Sequence, residues 1–153
     1  MYNDNYNNRA AQPRMKPMPL PKDYVQAAES AISTLKRLED ENRRNRVITT
    51  SKLRSLFALF TELYNQVTRS DKTTLDPEQV NALNAAKVRI YYEIGREEGY
   101  RGNLDYTSVG RFIKHSHLLE YLMDIGSDAE KLTRFYQYME ALVAFHRYYF
   151  GDK

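Results

Sequence analysis

The chain is 153 residues long with a mass of 18.0 kDa, enough for one domain with a substantial core. With no cysteine and three histidines, it cannot build a disulfide scaffold, a thiolate zinc site, an iron–sulfur site or a cysteine nucleophile. The formal net charge is +3, and the longest apolar runs, 56–60 and 141–145, are too short for a secretory core or a membrane span, so a soluble, cytoplasmic protein is expected.

Residues 1–22 hold four of the five prolines and, by position 8, four asparagines, with little apolar periodicity to offset the entropy of ordering. Arg9, Arg14, Lys16 and Lys22 against Asp4 give this stretch a charge of +3, so it reads as a disordered basic arm. The remainder, 23–153, is expected to be a single all-α domain, a compact bundle of about five helices. The first, 23–41, carries a narrow stripe of Val25, Ala28, Ile32, Leu35 and Leu38. The second, 50–68, starts on Thr50 as N-cap and buries Leu53, Leu56, Phe57, Phe60, Leu63, Tyr64 and Val67 on one helical face. The third, 77–97, has a strong start signal in Asp76, Pro77 and Gln79.

Gly99 and Gly102 then break the chain. A fourth helix, 107–125, buries Val109, Phe112, Ile113, Leu119, Leu122 and Met123 and ends at Gly126. The fifth, 127–150, opens on a capping box from Ser127 to Glu130 and lines one face with Leu132, Phe135, Tyr136, Met139, Leu142, Val143, His146, Tyr149 and Phe150. Tyr138, Ala141, Phe145 and Tyr148 form a second stripe, so this helix should be a central strut enclosed on more than one side. No segment alternates with the period of a strand, and no repeat of 20–50 residues recurs.

Charge is unevenly spread. Residues 23–42 sum to −3, whereas Arg43, Arg44, Arg46, Lys52, Arg54 and Arg69 against Glu62 give 43–69 a charge of +5. Such a field attracts polyanions at short range, since screening removes charges beyond about 8–10 Å; a solvated helix connection is the plainer alternative. Groups able to do chemistry are few. His115 and His117 sit about 200° apart on a helix and cannot ligate one metal from the same face. His146, on the apolar stripe, is expected to be a hydrogen-bonded core histidine. Gly95, Gly99 and Gly102 fit neither a P-loop nor a dinucleotide fingerprint. Glu93, Glu97 and Glu98 lie among Arg89 and Arg96, as on a salt-bridged face. No catalytic residue, metal or cofactor is expected.

Three blocks carry a resemblance: Thr50-Ser51-Lys52-Leu53-Arg54; Lys87-Val88-Arg89 through Tyr92-Glu93-Ile94-Gly95-Arg96; and Tyr138-Met139-Glu140-Ala141-Leu142-Val143-Ala144-Phe145-His146-Arg147. Together, over about residues 48–150, they resemble the small subunit of type III-A CRISPR-Cas effector complexes, the Csm complexes. The resemblance implies a helical, non-catalytic protein of antiviral defence that stacks in several copies beside the backbone subunits holding the guide RNA and lines the channel for target RNA. Its implied partners are target RNA, the guide RNA duplex, the backbone and large subunits, and further copies of itself; no membrane is involved.

A subunit serving every guide cannot read base edges, so its RNA contacts should run from Lys and Arg to phosphate. The RNA-binding candidates are Arg46, Lys52 and Arg54 in the +5 stretch and Lys87, Arg89 and Arg96 in the third helix. Lys52 and Arg54 fall in a first helical turn, where free amides add positive charge; Lys87 interrupts an apolar stripe and must snorkel. Two other readings stay open. Arg89 and Arg96 could merely pair with Glu93 and Glu97, or the domain could be a protein-interaction module with no direct nucleic-acid contact.

Overall fold

Five helix starts are made by side chains that accept amide protons the helix itself leaves unpaired. Asp23, Thr49, Asp76, Thr107 and Asp128 do this for α1 (Tyr24–Glu41), α2 (Thr50–Ala58), α4 (Pro77–Arg96), α5 (Ser108–Ser116) and α7 (Ala129–Phe150). At α4 the expected capping box is complete: Asp76 accepts from Gln79 N at 2.8 Å and the Gln79 side chain accepts from Asp76 N at 3.0 Å. Two expected caps are displaced by one residue. Thr50 is the first helical residue of α2, with Thr49 as its cap. Asp128 replaces Ser127 at α7, because the Ser127 carbonyl is taken by Leu75 N at 2.8 Å in a short antiparallel bridge between two loops.

The other two starts, of α3 (Thr61–Thr68) and α6 (Leu118–Ile125), have no side-chain cap bond, and both are restarts inside segments expected to be continuous. At 59–60 the ladder tightens, with Leu59 N and Phe60 N reaching back three residues to Leu56 and Phe57. This turn leaves Phe60 fully buried, edge-on to Phe135 at 5.1 Å. At His117 the backbone is left-handed, φ 53°, and the Ser116 carbonyl there accepts from the buried Tyr138 hydroxyl at 2.7 Å. The protein is thus the all-α bundle expected, with seven helices among the described residues, 15–153, of this computed structural model.

Helix α7 is the strut that its double stripe demands. It packs on α1, α2, α3 and α6, and Leu132, Phe135, Tyr138, Met139 and Leu142 are buried around it. Tyr136 stacks on Tyr64 at 3.9 Å and Phe57 at 4.6 Å, joining α7 to α2 and α3. Of the second stripe, Tyr138 is buried and Ala141 and Phe145 half-buried, while Tyr148 is 82% exposed. No described helix is long and apolar enough to cross a membrane.

Residues 15–22, expected within the disordered arm, lie against the body without regular secondary structure. Met15 and Leu20 pack against the core, Met18 N donates to the Glu120 carbonyl at 3.0 Å, and Arg134 donates to the Pro21 carbonyl at 3.0 Å. Tertiary contacts of this kind leave no periodic trace in a proline-rich stretch. The rest of the expected arm, 1–14, lies outside the described residues.

Candidate nucleic-acid interface

The loop between α1 and α2, which carries Arg43, Arg44 and Arg46 of the electropositive stretch, is held at three consecutive residues by three helices. From α5, the buried Arg111 guanidinium donates to the Arg46 carbonyl at 2.7 Å and to the Asp105 carbonyl at 2.9 Å. From α1, Glu39 accepts from Val47 N at 2.9 Å. From α7, His146 Nε2 lies 2.6 Å from the Ile48 carbonyl; an oxygen of that kind only accepts, so Nε2 carries the proton. Burial pushes the imidazole below its ordinary pKa, which makes it the neutral core histidine expected. The Arg46 side chain is left exposed at the surface of this anchored loop.

Three of the six candidate residues meet at one carboxylate. Glu93 is 6% exposed in α4 and takes Lys52 of α2 on Oε2 at 2.7 Å, with Arg89 and Arg96 on Oε1 at 3.1 and 3.3 Å. The bond from Lys52 is the main cause of a lowered Glu93 pKa; burial opposes it, and the two guanidiniums assist. Three cations around one anion leave the cluster at +2. Arg89 and Arg96 each make one contact to Glu93 and remain about half exposed, at 53% and 51% of their side chains, which leaves each with further N–H donors for another partner. Their guanidinium carbons also lie over the Tyr92 ring, at 5.2 and 5.8 Å from its centre.

The pairing alternative is therefore half met: both arginines pair with Glu93 and neither with Glu97. Glu97 instead caps α5, accepting from Ser108 N at 3.2 Å, Ser108 Oγ at 2.5 Å and Val109 N at 3.0 Å.

The other three candidates stand apart, with no carboxylate partner among the described residues. Arg54 is about 200° around α2 from Lys52 and opens on a hollow of 690 Å³ shared with Thr49, Ser51, Ser55 and Lys153. At this end of α2 the amides are partly spoken for: Thr50 N donates to the Lys153 carbonyl and Lys52 N to Thr49 Oγ1. Lys87 is about 200° around α4 from Arg89 and half-buried, lining a groove with Val80, Leu83, Leu122 and Met123. The link between Lys52 and Glu93 spans 41 residues and had no local signal. Tyr92 did have one, since Arg89 and Arg96 flank it at three and four residues.

The chain matches the family described as Csm2 Type III-A over residues 25–152. It is 38% identical over 129 residues to the CRISPR system Cms protein Csm2 of Streptococcus thermophilus, covering 84% of this chain and 93% of the relative. Proteins of the same name from Mycobacterium tuberculosis (strain CDC 1551 / Oshkosh) and Enterococcus italicus are each 32% identical, over 82% of this chain and 90% and 89% of theirs. Blocks read on α2, α4 and α7 thus fall inside one continuous match, and the chain belongs to the Csm2 family, the small subunit of the type III-A Csm complex.

Proposed function

We propose that this Csm subunit binds target RNA without regard to sequence, through the phosphates, at the surface where Lys52, Arg89 and Arg96 converge. The carrying observation is the buried Glu93 carboxylate, which gathers cations from two helices and leaves both guanidiniums half exposed. A carboxylate in that position fixes the cations before RNA arrives, so less side-chain entropy is lost on binding. Arg46, on its anchored loop, is a further phosphate ligand. The patch is small, so one copy binds weakly, with non-specific affinity in the range of about 10⁻⁴ to 10⁻⁶ M. Several copies stacked along the guide–target duplex, beside the other Csm subunits, supply the rest by avidity.

The test is the salt dependence of RNA affinity. For Arg89→Ala/Arg96→Ala, the slope of log affinity against log salt should shrink by about 0.7 for each phosphate of a single strand that the variant no longer neutralises. Unrelated strands of equal length should bind equally. An unchanged slope removes Arg89 and Arg96 from the RNA surface, a hundredfold preference between strands contradicts sequence-blind binding, and no measurable binding of any strand favours a purely protein-binding module.

A further inference from the structure

Tyr92 is 56% exposed on α4, and Val88 and Tyr91 beside it are 66% and 45% exposed. A tyrosine ring this open on a well-formed helix is available to a partner, and its surroundings restrict what that partner can be. The two arginines whose guanidiniums lie over the ring have half-exposed side chains and N–H donors beyond the one that meets Glu93. Whatever covers the ring must also satisfy those donors or strand them without partners, at a cost that would offset the gain from the ring. An apolar protein surface meets the first need and not the second. A nucleotide meets both, because it joins a flat aromatic ring to an anion through one sugar.

Resting on the RNA reading above, we infer that Tyr92, with the guanidiniums of Arg89 and Arg96, is a stacking platform for an unpaired RNA base, whose flanking phosphates bind the same two arginines. Every base offers a π-face, so stacking adds affinity without adding sequence preference, as a subunit indifferent to guide sequence requires. The platform is local to α4: the arginines lie three residues before the ring and four after it, and Glu93 ties both to the helix.

The experiment compares the full-length protein with Tyr92→Ala and Tyr92→Phe on two probes. One is a single-stranded oligoribonucleotide, and the other an abasic strand of the same length and charge. The natural protein should bind the base-bearing strand about tenfold more tightly than the abasic one. Tyr92→Ala should abolish that preference with an unchanged salt slope, and Tyr92→Phe should keep it. Full preference retained by Tyr92→Ala overturns the platform and leaves the phosphate reading standing. Failure of the natural protein to bind either strand overturns the RNA reading itself. Loss of another Csm subunit in Tyr92→Ala, with strand preference intact, makes the face a protein-docking surface and also overturns the platform.

Discussion

Gly110→Ala should cost about 3 kcal/mol or more of stability, near the upper end for overpacking. Gly110 lies in the first turn of α5, and a Cβ there would come 2.3 Å from the Leu104 carbonyl oxygen, 2.9 Å from its carbon and 2.7 Å from Thr107 Oγ1. Two of these atoms are backbone of the preceding 3₁₀ turn (Leu104–Tyr106) and the third is the helix cap, so no flexible side-chain end can swing clear. The turn must move by about an ångström, which also disturbs the Glu97 bonds to Ser108 and Val109. Gly95, in α4, is the control. Nothing lies within 4 Å of a Cβ there, so Gly95→Ala should be neutral or stabilising by up to about 1 kcal/mol. Urea unfolding of the two variants side by side checks both; equal stabilities would refute the close approach at Gly110.

Arg111→Met should destabilise the protein by about 3 kcal/mol, since it removes two charge-assisted bonds and leaves two carbonyl oxygens short of a donor. Arg111 is 6% exposed, and its guanidinium joins the 3₁₀ turn to the loop that carries Arg46. Burial lowers its pKa, while Glu97, Asp105 and Glu39 pull the other way. Lys114, one turn further along α5, makes a sharp comparison. It also reaches Asp105, at 2.8 and 2.9 Å to the carboxylate, but in the open, so Lys114→Met should cost under about 1 kcal/mol. With Arg111 gone, the loop keeps Glu39, His146 and the Asn45 side-chain bond to the Leu38 carbonyl but loses its tie to α5, and trypsin should cleave faster at Arg43, Arg44 and Arg46. A cleavage rate equal to that of the natural protein would show that Arg111 does not hold the loop.

What could be read along the chain was whatever depends on near neighbours. The start of α4 was legible in Asp76, Pro77 and Gln79 because a capping box is complete within four residues. The double stripe of α7 foretold a helix covered on more than one side, and the place of His146 on that stripe foretold its burial. The breaks at 59–60 and at His117 were not legible. Neither holds a glycine or proline, and both depend on packing against α7, through Phe135 in one case and Tyr138 in the other. The docked segment 15–22 escaped for a similar reason, being held by Glu120 and Arg134 from the far side of the chain.

The candidate interface divides along the same line. Arg89 with Glu93 is a local pair visible at i,i+4, and Arg96 joins it at i+3. Convergence of Lys52 on the same carboxylate is a tertiary event, and it changes what Lys52 is. A residue read from the sequence only as a phosphate ligand proves one-third exposed and bonded to a buried anion. It therefore contributes to the docking of α2 on α4 as well as to the charge of the patch. Arg54, read as its companion, opens on the opposite side of α2.

Photo-crosslinking places the RNA most directly. The assembled Csm complex, loaded with target RNA carrying photoreactive thiouridine, is irradiated and the modified peptides of this subunit are mapped. The proposed phosphate contacts of Arg89, Arg96 and Lys52 would put the strand along one side of α4 and the start of α2, so crosslinks should concentrate in residues 88–96 and 50–54. Crosslinks absent there and confined to the exposed end of α7 around Tyr148, or to the Lys87 groove, would contradict a target-RNA surface built on Glu93.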